Sequence, residues 1–522
     1  MTVTSAAFRG DQALFLHGYS PMAAHDLLRF IQGGGDVSDL AGDFVLVNPS
    51  PVDGFAISSF LSAQPYYYAL STQGYLVTGA SAFEVAARAG LSWRWNERTI
   101  RSLALYGHAI NDDTLCEGVY RMPSASRVSV KNGQLQIEAL PVRRFLWDED
   151  PSQERAFGLL KRSFEGCLAD ASGGVGEVHL SLSAGYDSRL LLALCLDRGI
   201  KPRVSVMGYD NSTDVIMARA ICQRVGLRLQ VITLDPADYL RHGAAIAAAT
   251  SGVKTAVNWH TYLYHLGKDF SRGVHLVGSN GEFARSFFFD QPRFDPVARH
   301  APALGMNAYW FARCVRRQMK FSQANPIVGR NPWPVAELAA QAGAGRKWGA
   351  RRFLPALDAF YAEQRVRHFI GGGLACYAAH GSPRSPFLDA PWMRATAAMG
   401  RPFKQGNRFH ADSTERLWAP LAEFTYNRLP DQTQGASYHP FAPLVQSDEV
   451  TELLVESAHL DVWTSRADRA ALLTDARCDQ IEERNLWLTL HFAAQAQQRA
   501  QADVARGAEA DTQPSVDWLG AA

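Results

Sequence analysis

The chain lacks a dominant charge, a set of paired cysteines and any long apolar run. Its 52 Lys and Arg residues balance 51 Asp and Glu residues, so the formal net charge of +1 favours neither nucleic acid nor an anionic membrane. The seven cysteines are scattered without a Cys-x-x-Cys pair, which disfavours a disulfide scaffold or a structural zinc site. No apolar run approaches the roughly 18 residues of a membrane span, and no leader-like start is present. We therefore expect a cytoplasmic protein that binds neither nucleic acid nor membranes.

The pattern of apolar residues divides the chain into three parts. Residues 1–145 are patterned as short strands, interrupted by helical patterns at Ser81–Ala89 and Glu97–Tyr106. Residues 146–500 alternate strands with helices and then become largely helical, which predicts an α/β domain with a parallel sheet. Residues 501–522 are a polar tail, and we expect disorder from about Ala494 onward.

The segment Val178–Gly199 carries the strongest local signal. An apolar run meets a turn of small residues, and an apolar-periodic helix follows as far as Gly199. Such a turn lets backbone amides approach a ligand, and the positive N-terminal end of the helix faces the same point. The pattern therefore predicts an anion site, with phosphate as the expected anion. An ordinary turn of a parallel sheet is the alternative.

The turn residues resemble a known nucleotide-binding loop. They read Ser183-Ala184-Gly185-Tyr186-Asp187-Ser188-Arg189. This is similar to the pyrophosphate-binding loop, usually Ser-Gly-Gly-x-Asp-Ser, of the ATP pyrophosphatases, and most similar to their asparagine synthase-like branch. The resemblance implies ATP and Mg²⁺ as cofactors. It places Asp187 as a catalytic metal ligand, because a carboxylate beside polyphosphate needs an intervening cation. The expected cofactor-binding residues of the loop are Ser183, Ala184, Gly185, Tyr186 and Ser188.

Two further strand ends are expected at the same edge of the sheet. Met207 ends the predicted strand Arg203–Met207, and the loop from Gly278 to Glu282 follows the predicted strand Val274–Val277. The resemblance places Met207 near the adenine, and Gly278 and Ser279 against the cofactor. Glu282 falls where the family carries a second catalytic, metal-binding carboxylate, although a surface glutamate in a turn is the alternative. Ser279 stands where asparagine synthetases carry a glutamate and β-lactam synthetases a tyrosine.

Basic residues that assist the departing pyrophosphate are expected in the C-terminal part. The stretch Arg384-Ser385-Pro386-Phe387-Leu388-Asp389 resembles the family's Arg-x-Pro-Phe-Leu-Asp. It places Arg384 at the substrate end of the site, to contact phosphate or a substrate carboxylate, with a structural ion pair as the alternative. Arg428 or Lys404 lies in the region of the family's catalytic lysine. We expect Arg384 and Arg428 to act in catalysis.

Residues 1–145 resemble the amidotransferase-like, Ntn-type α+β domain of asparagine synthetases. The matching stretches are Leu40–Phe44, Pro65–Tyr68 and Thr114–Pro123. A working glutaminase of that family begins with Cys-Gly-Ile, because the N-terminal thiol is the nucleophile, whereas this chain offers Thr2-Val3-Thr4. We therefore expect a degenerate domain that retains its fold and does not supply ammonia from glutamine.

These features predict an α/β enzyme in which the Ntn-type domain precedes an ATP-pyrophosphatase domain with a largely helical C-terminal part. The resemblance implies that a carboxylate is adenylated with release of pyrophosphate and then joined to an amine. Loss of the glutaminase is shared with lasso peptide cyclases and β-lactam synthetases, in which substrate carboxylate and amine belong to one molecule. We favour macrolactam formation on a peptide, with a precursor-processing protease as a partner. An asparagine synthetase-like or β-lactam synthetase-like ligase and a non-catalytic scaffold subunit are the alternatives.

Overall fold

The computed structural model describes residues 5–9, 12–169, 177–266, 273–288, 348–429, 431, 433–474 and 480–512. Within these ranges the chain is mixed α/β, with both antiparallel and parallel sheets. The predicted fold class is therefore confirmed at this coarser level. Thr2 and the predicted helix Val335–Ala342 lie outside the described residues.

The first part of the chain forms two antiparallel sheets. The larger has strand order β1-β2-β3-β4-β8-β9 and the smaller β6-β5-β7. The strands are β1 (Ser5–Arg9), β2 (Gln12–Tyr19), β3 (Asp43–Asn48), β4 (Phe55–Ser58), β5 (Tyr67–Leu70), β6 (Leu76–Gly79), β7 (Val119–Arg121), β8 (Ser126–Lys131) and β9 (Gln134–Ala139). The helices of this part are α1 (Ala24–Gln32), α2 (Ala82–Arg88) and α3 (Glu97–Tyr106). Strands β1, β2 and β7 and helix α1 were not predicted from the sequence.

The two sheets pack face to face between helices. Alternate residues of β3 point to opposite sides, so Val45 packs against Tyr68 of the smaller sheet while Phe44 packs with Leu27 of α1. On the outer side of the smaller sheet, Val85 of α2 packs with its strands. The layers are therefore helix, sheet, sheet and helix.

The second part forms a five-stranded parallel sheet with the order β12-β11-β10-β13-β14. Its strands are β10 (Glu177–Ser181), β11 (Arg203–Met207), β12 (Leu229–Ile232), β13 (Gly273–Leu276) and β14 (Ser382–Arg384). The helices up to β13 are α4 (Glu154–Leu168), α5 (Tyr186–Asp197), α6 (Thr213–Val225), α7 (Ala237–Arg241), α8 (Gly243–Thr250) and α9 (His260–Leu263). The predicted parallel sheet is confirmed, and its carboxyl ends lie at one edge.

The C-terminal part is helical. A π-helix at Tyr361–Ile370 joins α10 (Phe353–Phe360) to α11 (Gly371–Ala378), so the predicted helix Arg351–Phe369 is one segment of a longer helical run. The remaining helices are α12 (Ala390–Ala398), α13 (Arg401–Lys404), α14 (Arg408–Leu417), α15 (Phe441–Val445), α16 (Asp448–Glu456), α17 (Arg466–Thr474) and α18 (Gln480–Thr512). None of the helices in the described ranges is long and apolar enough to cross a membrane.

The expected disorder from Ala494 is wrong as far as Thr512, because α18 continues to that residue. Ala, Gln and Arg are strong helix formers, so a composition that looked disordered also suits a helix. The helix is ordered by packing, since Ala493, Ala496 and Ala500 are buried in a cluster that includes residues of α2, α3 and α8. Residues 513–522 lie outside the described ranges.

We predict that Ala496→Asp destabilises the protein strongly. Ala496 is 3% exposed within an apolar cluster, and an unpaired carboxylate there should cost on the order of 3 kcal/mol of unfolding free energy. Gln498→Asp is the matched control, because Gln498 is exposed on the same helix. Thermal unfolding of the two variants checks this, and equal melting temperatures would contradict the packing of α18.

Candidate functional site

A cavity of about 390 Å³ lies at the carboxyl ends of β10, β11 and β13. Ligands of parallel sheets bind at this edge, where polar loop residues meet. The sequence-predicted residues that line it are Ser183, Gly185, Asp187, Ser188, Met207, Gly278, Ser279 and Glu282. Residues from both predicted loops therefore share one cavity.

The loop between β10 and α5 is held by its own hydroxyl groups. The Ser183 amide donates to Ser188 Oγ at 3.0 Å, and the two serine hydroxyls lie 3.0 Å apart. The Gly185 amide donates to Ser183 Oγ at 3.2 Å, and Gly185 is the N-cap residue of α5. Because α5 is 12 residues long and starts here, its positive end and the loop hydroxyls face the same space. The arrangement suits an anion.

The loop after β13, from Gly278 to Glu282, lies so close to Asp187 that there is no room for a Cβ atom at two of its positions. A Cβ atom at Gly281 would lie 2.3 Å from Asp187 Oδ1, and one at Gly278 would lie 2.9 Å from Asp187 Cβ. Ser385 fixes this loop by donating its hydroxyl to the Ser279 carbonyl at 2.7 Å. Glycine at these two positions therefore sets the distance between the loops.

Two carboxylates face each other across this contact. Asp187 and Glu282 each have a side chain that is 24% exposed. Burial, and then the negative charge of Asp187, raise the pKa of Glu282, while Arg285 opposes the shift. Tyr361 donates its hydroxyl to Glu282 Oε2 at 3.1 Å. The site thus places two carboxylates beside a loop that suits an anion. A cation bound between them would offset the repulsion between the carboxylates and the anion.

The carboxylates fit a magnesium ion that is shared with phosphate. Among the residues that the structure describes, no group of three or more His, Cys, Asp and Glu side chains could hold a metal alone. Magnesium is usually bound by one or two carboxylates together with substrate phosphates and water. Asp187 and Glu282 can supply the protein's share of such a coordination shell.

His410 was missed by the sequence interpretation. It lies on α14, is 0% exposed, and places Nε2 at ion-pair distance, 2.9 Å, from Asp187 Oδ1. Helix α14 packs against α5, which brings this buried imidazole to the first turn of α5. No local motif marks His410, since it is more than two hundred residues from Asp187 in the chain.

Ala184 and Tyr186 support the loop without lining the cavity. Ala184 is buried, and its amide donates to Asp214 Oδ1 at 2.8 Å. The Tyr186 ring stacks on Tyr426 at 3.9 Å between centroids, and the Arg189 guanidinium lies 3.8 Å from the Tyr426 centroid. The predicted role of these two residues in cofactor binding is therefore at most indirect.

The segment 424–429, which includes Arg428, contacts the loop between β10 and α5 and the start of α5. The Asn427 amide donates to the Ala184 carbonyl at 3.0 Å, and Arg189 donates to the Phe424 and Thr425 carbonyls at 2.8 Å each. Arg428 itself is exposed, and its side chain does not line the cavity. Its predicted catalytic role stays a prediction.

Arg384 lies away from the cavity lining, contrary to its predicted role at the phosphate. It donates to the carbonyls of Cys167 at 2.8 Å and Ala169 at 2.7 Å, at the C-terminal end of α4. In the sheet Arg384 pairs with Leu276, so its side chain lies on the apolar face that α4 covers. Arg384 therefore satisfies helix carbonyls rather than a ligand.

Lys404 is also structural. It is 1% exposed and places Nζ 3.0 Å from Asp148 Oδ1 and 3.1 Å from the Ala397 carbonyl. Arg401 binds the same carboxylate at 3.0 Å. This buried ion pair occupies Lys404, and the lysine does not line the cavity.

Comparison with known proteins does not assign the chain. No family model matches it, and no curated protein matches its sequence significantly. The functional interpretation therefore depends on the residues of the cavity and their arrangement.

We predict that Glu282→Gln stabilises the protein at neutral and alkaline pH. Because the pKa of Glu282 is raised by folding, its contribution to stability is full below the unfolded pKa and is lost as pH rises through the folded pKa. Glutamine is uncharged throughout and still accepts the Tyr361 hydrogen bond. The melting temperature of the variant should exceed that of the unmodified protein above neutral pH, and the gain should shrink on acidification.

Glu415→Gln is the control for this titration, because Glu415 is an exposed residue of α14. Thermal unfolding across a pH series of both variants checks the prediction. A pH-independent difference for Glu282→Gln would show that burial and the charge of Asp187 do not raise the pKa of Glu282.

Proposed function

We propose that the chain is an ATP- and Mg²⁺-dependent ligase that adenylates a carboxylate and joins it to an amine. The observation that carries the proposal is the meeting of Asp187 and Glu282, from two neighbouring strand ends, beside the serine loop at the start of α5. Asp187 and Glu282 line one cavity beside the N-terminal end of α5, which suits an anion. This arrangement suits a magnesium-bound polyphosphate. The resemblance of the loop to ATP pyrophosphatases supports the same activity.

The chain's own residues have distinct tasks in this reaction. Ser183, Ser188 and the amide of Gly185 bind phosphate oxygens, and the N-terminal end of α5 stabilises the charge that develops as pyrophosphate leaves. Leu182 and Met207 form apolar walls that suit the adenine. Magnesium supplies neutralisation of phosphate charge when it is bound. His410 holds the Asp187 carboxylate in its orientation.

We further propose that the amine and the carboxylate belong to one molecule, as in a peptide that closes to a macrolactam. The sequence offers Thr2-Val3 in place of the family's Cys-Gly, which removes the usual source of ammonia. Ser279 provides a small side chain at the cavity where the family's asparagine synthetases carry glutamate. A tethered amine needs no separate ammonia source and gains effective molarity.

We predict that Asp187→Asn loses about a hundredfold or more in the rate of pyrophosphate release. The amide keeps the size of the side chain and removes the charge that would bind magnesium. Asp197→Asn is the matched control, because Asp197 ends the same helix and pairs there with Lys161 at 2.9 Å. Pyrophosphate release with a panel of carboxylates and peptides is the assay. Equal rates for the two variants would exclude Asp187 from the reaction.

Mass spectrometry of the product tests the class of amide. Intramolecular closure should give a product that has lost one water, with AMP and pyrophosphate formed in equal amounts. Addition of ammonia would instead give a primary amide, and release of glutamate from added glutamine would show a working amidotransferase domain. Either of these two results would replace the cyclase proposal with that of an asparagine synthetase-like enzyme.

A further inference from the structure

One face of the parallel sheet carries a buried polar layer. Parallel strands covered on both faces usually carry apolar side chains on both. Here Ser181, Ser205 and His275 point from adjacent strands toward Tyr264 and Tyr377. Burying such groups costs free energy unless they bond to one another. Whether this layer only stabilises the fold or also has a function depends on how its groups are hydrogen-bonded.

The layer contains a continuous chain of hydrogen bonds from the cavity into the core. Ser181 Oγ lies 3.2 Å from His275 Nε2, and His275 Nδ1 lies 3.0 Å from His265 Nε2. His265 Nδ1 lies 2.9 Å from the Thr261 carbonyl. His265 is 0% exposed and His275 is 3% exposed. The two rings and the serine therefore form one line that ends on a main-chain acceptor.

The carbonyl at the end of this line fixes its direction. A carbonyl only accepts, so His265 Nδ1 donates to Thr261 and, in the uncharged ring, His265 Nε2 accepts. His275 Nδ1 must then donate, which leaves His275 Nε2 as the acceptor of the Ser181 hydroxyl proton. A hydroxyl bonded to a base that is itself oriented by a third group is the arrangement of an activated nucleophile.

The hydroxyl end of the line opens on the cavity. Ser181 lines the cavity beside Leu182 and Ser183, and the phenols of Tyr264 and Tyr377 line it as well. Burial raises the pKa of each of these tyrosines, so both phenols keep their protons. Two phenolic donors next to the serine suit the stabilisation of negative charge on a bound oxygen.

We propose that Ser181, His275 and His265 form a nucleophilic triad that accepts acyl groups from esters or acyl phosphates bound in the cavity. Ser181 Oγ forms a bond to the acyl carbon and its proton passes to His275 Nε2. The leaving group departs with its electron pair and takes that proton from His275. An amine or water then attacks the Ser181 ester and loses a proton to His275 Nε2, the bond between Oγ and the acyl carbon breaks, and His275 gives this second proton to Oγ. This activity needs no ATP and goes beyond the proposed ligase reaction.

A fluorophosphonate tests the triad without knowledge of the natural substrate. Attack of Ser181 on phosphorus expels fluoride and leaves a stable phosphonyl serine, which peptide mass spectrometry locates. We predict labelling of Ser181 that is abolished in Ser181→Ala and slowed about a hundredfold or more in His275→Gln. Ser92→Ala is the control, because Ser92 is exposed and does not line the cavity. Its labelling rate should equal that of the unmodified protein.

His265 is a positioning residue, and a pair of variants separates that role from packing. His265→Leu removes the acceptor for His275 and should slow labelling, whereas His265→Gln offers an acceptor oxygen and should restore part of the rate. Thermal unfolding shows which variants are folded, and a burst of p-nitrophenolate from p-nitrophenyl acetate provides a second measure. Labelling that avoids Ser181, or that is unchanged in His275→Gln, would overturn the triad.

Addition of ATP and Mg²⁺ separates this proposal from the ligase proposal. Because Ser181 and the phosphate loop share one cavity, bound nucleotide should slow the labelling of Ser181. Labelling that depends on His275 and ignores ATP supports the triad and counts against ATP in this cavity. Protection by ATP without any dependence on His275 supports nucleotide binding and excludes the triad.

Discussion

The site depends on the close approach of two loops at the carboxyl edge of the parallel sheet. One loop leads into Asp187, and the other carries Glu282. Asp187 and Glu282 are near enough for the charge of one to raise the pKa of the other. Gly278 and Gly281 permit this distance, since a Cβ at either position would collide with Asp187. Like charges held in this way repel each other, and this repulsion opposes ionisation of both carboxyl groups.

Parts of the chain that are remote in sequence hold this constraint in place. His410 of α14 sits behind Asp187, and Tyr361 of the π-helix donates to Glu282. The Arg189 guanidinium is 0% exposed and bonds to carbonyls of the segment that also carries Tyr426. The helical C-terminal part is therefore part of the site, because its residues lie against both acidic side chains and hold the loop that carries Asp187.

The N-terminal part is joined to the rest by buried polar contacts. Asp389 accepts from the Gly42 amide at 2.8 Å and from the Tyr19 hydroxyl at 3.1 Å, and burial raises its pKa to about 6. Arg121 donates to the Arg367 carbonyl across the same interface. Such groups are costly to bury and costly to separate, so the two parts stabilise each other. The N-terminal part therefore contributes to the stability of the helical C-terminal part that it contacts.

Local pattern was sufficient for the elements that form the loop and for the residues within it. Periodicity and a left-handed Gly226 cap set α6 at its predicted bounds, and the strand Arg203–Met207 also lies where its apolar residues predicted. The loop motif placed Ser183, Asp187 and Ser188 in one turn, and all three line the cavity. Composition misled at α18, since Ala and Gln suit a disordered tail and a packed helix equally.

By itself, then, the sequence determined the alternating architecture and placed the serine loop and Glu282 at one edge of the sheet, because these depend on short-range spacing and on strand ends that share an edge. Tertiary structure alone decided that Arg384 bonds to carbonyls of α4, that Lys404 pairs with Asp148, and that His410 lies beside Asp187. It also aligned Ser181, His275 and His265. The physical reason is the same in each case: the direction of a side chain depends on which face of its strand or helix is covered, and by what, and no local spacing encodes that.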